Sequence, residues 1–437
     1  MRNQAASTTS FPRHDRWSPM TLLAALGCLA LTLSACATTA VTARAPAAST
    51  HGPDSQGLAF NDWVRAFRGY ALAQGISAAT FDMAFANVSY NPRVAEANQN
   101  QPEFSRPVWD YLDRAVSDER IARGKAKHAE NTAALRAAEQ SYGVPTSIVT
   151  AIWGLESGYG ANLGSKNIIE ALATLAYQGN RRAFGREQLL AALRILESKD
   201  IPPQRLVGSW AGAMGHTQFI PTTFLGYAVD ADGDGRRNLW DSLPDVFAST
   251  ANYLDKKGWQ KGRPCFTEVR LPQGFDYAQA DIDVSQTVTT WTARGVRRMD
   301  GRSLDTAGVE TSAQAAILVP AGHKGPAFAV YENFRAVLKY NQSQSYALAI
   351  CQLANRIEGR GEFIAAWPKA DPPLQALSER QELQRLLARK DPGIGEPDGI
   401  IGRRTRAAIR AFQASNNLIP DGYPTQSLLA LMRTKAQ

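Results

Sequence analysis

Basic residues are nowhere massed in this chain. Lys and Arg outnumber Asp and Glu by 48 to 40 over 437 residues, a formal net charge of +8. No Lys/Arg block is dense enough to track a nucleic-acid backbone, so nucleic acid is excluded as a partner. What remains is a mild positive excess, suited to a surface of scattered negative charge such as a cell wall or a membrane face. Cysteine is scarce as well, four in all, and none has His or Cys neighbours at metal-ligand spacing, which argues against zinc. Long apolar runs are missing too. The run at 20–33, MTLLAALGCLALTL, is too short to span a bilayer. With 44% hydrophobic and 20% charged residues, the composition is that of a soluble protein of two or three domains with a substantial core.

The short apolar run follows Arg2, Arg13 and Arg16 and ends in Leu33-Ser34-Ala35-Cys36, the layout of an export signal. Those four residues resemble a bacterial lipobox, in which the Cys is lipidated and becomes the mature N-terminus; an ordinary secretory signal cut nearby is the alternative. Either way the chain is exported. Loss of 1–35 removes three Arg and one Asp, taking +8 to +6. Ala37, where Asp would signal inner-membrane retention, resembles sorting to the periplasmic face of the outer membrane. Residues 37–56 are small and polar, a flexible tether. Cys28 leaves with the signal and Cys36 is claimed by lipid, so Cys265 and Cys351 remain, expected as one disulfide, with two buried thiols as the alternative.

From Gly57 onward helical spacing dominates: Phe60, Trp63, Val64 and Phe67, then a helix over 117–142, then 168–177, 182–198, 248–258 and 343–356. Between 265 and 334 the texture changes to short β-rich runs, FTEVRLP, VSQTVTTWTARGV, AAILVP and AFAVYENF, read as a small antiparallel unit inserted in a helical domain. The fold class is α+β, mainly helical. Prolines at 367–374 mark a linker, and 375–437 forms a three-helix pattern (377–389, 405–414, 425–432) in which Thr405 can act as a helix N-cap. The domains are thus 1–36 signal, 37–56 tether, 57–366 main domain, 367–374 linker and 375–437 a small binding module.

One carboxylate stands out. Glu156 ends an apolar helical run (Ile148, Val149, Ile152, Trp153, Leu155) and is followed by Gly158, Gly160 and Gly164. Held against Trp and Leu, it loses hydration, and its pKa rises into the range of a general acid. Downstream, 208–227 (GSWAGAMGHTQFIPTTFLGY) offers Ser209 and Gln218 as neutral hydrogen-bonding groups for a sugar. Next, Asp230, Asp232 and Asp234 at loop positions 1, 3 and 5, a Gly at 6, the Arg236 carbonyl at 7 and Asp241 at 12 reproduce an EF-hand calcium loop. Asp at position 12 is shorter than the usual Glu, so Asp245 competes as the closing ligand.

Gly154-Leu155-Glu156-Ser157, Ala211-Gly212-Ala213-Met214-Gly215 with Gln218-Phe219-Ile220-Pro221, Asn238-Leu239-Trp240-Asp241, Ala251-Asn252-Tyr253 and Tyr340-Asn341 together resemble the membrane-bound lytic murein transglycosylase B family. The C-terminal part, with Asp398-Gly399, Ala408-Ile409, Phe412-Gln413 and Pro420-Asp421-Gly422, resembles a helical peptidoglycan-binding domain. The resemblance implies a lysozyme-like catalytic domain that cleaves the β-1,4 bond between N-acetylmuramic acid and N-acetylglucosamine without water, giving a 1,6-anhydro end. It implies Glu156 as acid/base, with Tyr111, Ser209, Gln218, Tyr340, Asn341 and Tyr346 lining the sugar cleft. The calcium loop is also a family feature, with one residue more here between Asp241 and Asp245. The expected protein is a monomer that needs no cofactor for its chemistry, admits a structural Ca2+, and binds peptidoglycan glycan strands and, by its lipid, a membrane. A hydrolytic muramidase using the same Glu156 with an ordered water, and a non-catalytic wall-binding protein, are the competing readings.

Overall fold

The computed structural model describes residue 53 and residues 57–99 and 106–435. The export signal, Cys36 and the tether, apart from Pro53, lie outside the described residues. Among these, no helix is long and apolar enough to cross a membrane.

The first helix, α1 (Phe60–Ala73), buries Trp63, Phe67 and Ala71. The stretch 117–142 is two helices rather than one, Asp118–Glu130 and Thr132–Tyr142. At the break, the Asn131 amide turns back to the Lys127 carbonyl and the Thr132 hydroxyl to that of His128, so local side-chain bonds compete with the helix ladder. Ahead of it α2 (Val108–Ala115) buries Trp109 and Leu112. The centre of the domain is α3 (Thr146–Ser157), whose residues from Ser147 to Gly154 are all buried. The two helices of 118–142 pack against it, as do α6 (Leu243–Lys256) and α7 (Gln344–Ile357), while α4 (Ile168–Tyr177) and α5 (Arg182–Glu197) pack on each other. Of these α7 lies along α3 and also meets α2.

The inserted unit is a five-stranded antiparallel sheet of β1 (Phe266–Arg270), β2 (Ser285–Thr287), β3 (Arg297–Arg298), β4 (Gln314–Leu318) and β5 (Ala327–Val330), in the order β2-β4-β5-β1-β3. Strand side chains alternate between faces, and both faces are used. Ala316, Leu318, Phe328 and Val330 join the core of the helical domain, while Ala315, Ile317, Ala327 and Ala329 join a second core around Trp291. Part of the run VSQTVTTWTARGV is helical, at Val288–Ala293. The Thr287 hydroxyl caps it by accepting from the Thr290 amide, and the fully buried Trp291 donates its indole N–H to the Ala315 carbonyl.

Cys265 and Cys351 are both buried and both free. The expected disulfide is therefore absent. The two residues do meet: burial first, and then a side-chain hydrogen bond with Cys265, drive the Cys351 thiol well above the usual range.

The C-terminal module comprises α8 (Leu377–Ala388), α9 (Arg403–Ser415) and α10 (Gln426–Lys435) around a third core. Thr405 does not cap α9: Gly402 occupies that place, and Thr405 is buried inside the first turn. The residues read as a linker are packed. Trp367 packs at a tilt against Trp109, Leu374 belongs to the module's core, and the Leu374 amide bonds the Pro424 carbonyl at 2.9 Å. Across the junction to the sheet unit, Asp421 accepts from the His323 amide (2.9 Å) and contacts its Nδ1 at 2.6 Å.

Candidate active site

Glu156 sits in the last turn of α3, and the chain reverses immediately after it. Gly158 takes φ 59°, in the left-handed region, and the Tyr159 amide reaches back to the Trp153 carbonyl at 3.2 Å. Tyr159 itself has φ 58°, an uncommon choice for a bulky residue. It is anchored by its hydroxyl on the Arg120 carbonyl (2.9 Å) and by an edge-on contact with Trp153, centroids 5.6 Å apart. That ring needs Gly154, where a Cβ would fall 2.5 Å from it. The glycines around Glu156 thus place an aromatic brace under the helix end.

Burial lifts the Glu156 carboxyl to about 7, and a hydrogen bond from the Tyr346 hydroxyl to Oε1 at 2.5 Å pulls the other way. Among the described residues, no acidic neighbour contributes to that shift. Tyr346 enters from the first turn of α7, its backbone fixed by the Ser343 cap. Its ring stacks on Tyr340, centroids 6.5 Å apart, and the Tyr340 hydroxyl donates to the Thr217 carbonyl at 2.5 Å. Burial first, then the charge of Glu156, hold both phenols well above the usual tyrosine range. Half-buried Tyr111 on α2 is raised for the same two reasons, in the same order. Three neutral phenols and one carboxyl therefore share this site.

Other expected cleft residues behave differently. The Ser209 hydroxyl accepts from the Ala211 and Ala213 amides, closing a turn. Gln218, at φ 51°, donates its amide to the Gly215 and Leu163 carbonyls, pinning the Gly-rich segment to the loop after Glu156 and leaving its oxygen to accept. Asn341 is exposed, and its side chain accepts from the Ser343 amide as a turn former.

Two contributors lie in stretches the sequence reading quotes but are given no role there. His216 accepts from the Trp153 indole at 2.8 Å, bonds the Trp240 backbone and is pushed below the usual histidine range by burial, so it stays neutral. Tyr253 packs edge-on against Tyr340 (5.0 Å) and is raised to about 12 by burial. The signal for His216 is its place within the Gly-rich segment, two residues before Gln218, and that for Tyr253 its place in Ala251-Asn252-Tyr253.

In the acidic loop Asp230, Asp232 and Asp245 bring one carboxylate oxygen each within 4.8 Å of the others. Oxygens around a calcium ion at 2.3–2.6 Å lie about that far apart, so the donor set fits. Asp245 is fully buried at the start of α6, accepting from the Ala231 and Asn238 amides at 2.7 Å. Asp241, expected at position 12, faces outward and pairs with Arg205. Of the two candidates for the closing position, the four-residue offset puts Asp245 on the inner side and leaves Asp241 outside the cluster. Asp234 is exposed, accepts from the Arg236 amide (2.8 Å) and stands outside the cluster, whereas Asp232 is tied in by the Ser242 hydroxyl at 2.6 Å.

Residues 59–355 match the transglycosylase SLT domain, and 377–432 match a putative peptidoglycan-binding domain. The chain is 32% identical over 260 residues to membrane-bound lytic murein transglycosylase B of Escherichia coli K12, covering 56% of this chain and 66%, just under two thirds, of that protein. The crystal structure of SltB3 from Pseudomonas aeruginosa in complex with NAG-anhNAM-pentapeptide superposes with a TM-score of 0.82 at 50% identity, over 86% of this chain and 100% of that one. Slt35 of Escherichia coli in complex with calcium gives 0.59 at 27% identity, over 68% and 92%. The chain belongs to the SLT transglycosylase family and carries a C-terminal peptidoglycan-binding domain.

Titration of Glu156, followed by carboxyl-carbon NMR, should centre near pH 7. Tyr346→Phe removes the bond that favours the carboxylate, so the midpoint should move to higher pH. A midpoint that stays or moves to lower pH would show that this hydroxyl does not govern the carboxyl.

Proposed function

We propose that the protein cleaves the β-1,4 bond between N-acetylmuramic acid and N-acetylglucosamine in peptidoglycan without water, forming 1,6-anhydro-muramyl ends, with Glu156 as sole acid/base. The observation that carries this is a half-buried carboxyl whose pKa burial raises to about 7, with no acidic neighbour among the described residues behind the shift. Ordinary glycosidases divide the work between two carboxylates. Here Glu156 donates its proton to the glycosidic oxygen as the C1–O bond breaks, with the N-acetyl oxygen assisting departure. The ionised carboxylate then takes the proton of the muramyl 6-hydroxyl as that oxygen closes on C1. Proton and bond counts balance with no water consumed. Neutral phenols suit this course, since a second carboxylate would compete for the cationic carbon.

Incubated with purified sacculi, the parent should release fragments ending in anhydro-muramyl groups, identified by mass. Glu156→Gln should lose about 10²–10⁴-fold in rate while still folding and binding glycan. Reducing ends in place of anhydro ends would establish hydrolysis, and an active Gln variant would remove Glu156 from the chemistry.

The acidic loop is read as a structural calcium site, held by Asp230, Asp232 and Asp245. Calcium at 100 times its dissociation constant should stabilise the fold by about 2.7 kcal/mol, seen as a rise in melting temperature. Asp230→Asn with Asp232→Asn should abolish the rise, and Asp241→Asn should keep it. No rise in the parent would reduce the loop to a turn.

The lipobox-like Leu33-Ser34-Ala35-Cys36 supports a lipid-anchored protein at the periplasmic face of the outer membrane, with the module at 377–432 holding the wall. Membrane fractionation should find the parent in the outer membrane and Cys36→Ala released. A soluble or inner-membrane parent would refute that location, and an unmoved variant would refute the lipid.

A further inference from the structure

Between the sheet unit and the C-terminal module lies a cleft of about 510 Å³, lined on one side by Arg403, Arg406 and Arg410. Their spacing along α9 puts all three on one helix face. Arg403 is neutralised by Asp281 and Asp283. Asp421, also on the wall, is engaged by His323 and by the Gln413 amide at 2.7 Å. Arg406 donates only to the Ile401 carbonyl, at 3.4 Å, with Asp281 acting on it at longer range. Among the described residues, neither Arg406 nor Arg410 has a carboxylate in ion-pair contact. The cleft therefore offers two guanidinium forks that no carboxylate among the described residues contacts directly.

The opposite wall places this charge beside the chemistry. It includes Val108 of α2 and Gln344 and Ser345 of α7. Tyr111 follows Val108 by three residues, and Tyr346 follows Ser345 directly. The helix residues that line the cleft thus lie within one turn, about 5 Å along the axis, of Tyr111 and Tyr346, whose phenols act on Glu156. Glycan sugars are largely uncharged, whereas a peptide borne on the muramyl sugar ends in a carboxylate, which a guanidinium fork binds by paired charge-assisted bonds. Five extended residues reach about 17 Å, several times that helical turn.

We propose that Arg406 and Arg410 hold the terminal carboxylate of a peptide carried by the muramyl sugar at Glu156, which makes the C-terminal module part of the substrate site. This rests on the reading of Glu156 given above. The test uses the Glu156→Gln protein, titrated calorimetrically with the NAG-NAM-pentapeptide disaccharide and with the same compound amidated at its peptide C-terminus. Amidation should weaken binding about tenfold. Arg406→Gln with Arg410→Gln should weaken the free acid by a similar factor and the amide by little, and Lys at both positions should restore part of the loss. Equal affinities for acid and amide, or equal loss of both ligands in the Gln pair, would overturn the proposal. Turnover of peptide-free strands by the parent reports separately on Glu156: its absence would sink the reading of that site and this proposal with it.

Discussion

Glu156 is held where water only partly reaches it, and much of the catalytic domain is arranged around that deficit. A carboxyl in this position is disfavoured as an anion, which keeps its proton available near neutral pH. The helix carrying it is buried along most of its length, so the carboxyl cannot escape toward solvent. The Tyr346 hydroxyl limits the shift by stabilising the charged form, and the result is a group able both to give and to regain a proton. Tyr340 and Tyr253 then brace Tyr346, and His216 and Tyr159 brace Trp153 beneath the helix end.

Much of this was legible in the chain. The apolar run before Glu156, the glycines after it and the helices at 168–177 and 182–197 follow from local periodicity, which depends on near neighbours alone. What periodicity does not show is which partner each polar side chain takes. Asp241 satisfies the loop spacing, yet Arg205 draws it outward and Asp245 takes the inner position. Ser209 and Gln218 have the chemistry of sugar ligands, but backbone amides and carbonyls of their own loop occupy most of it. The threonines around Trp291 favour strand by propensity, and a hydroxyl cap and one buried indole reverse that preference. Cys265 and Cys351 were expected to meet and do, without the bond between them.

The sheet unit shows how the two larger bodies are joined. Because β4 and β5 are apolar on both faces, the sheet closes one side of the helical core while carrying a core of its own. Its outer loops supply His323, Asp281 and Asp283, the groups that meet the C-terminal module. Residues that composition marks as a linker are packed in the same junction.

Two binding units on a slack tether raise each other's local concentration, and that gain decays gradually with tether length. The packing of Trp367 and Leu374 and the Asp421–His323 contact remove that slack. For any polymer held by both units, the separation and angle between them then act as a fixed gauge. A strand whose shape matches the gauge gains the whole benefit of the second contact, and one that does not match gains none.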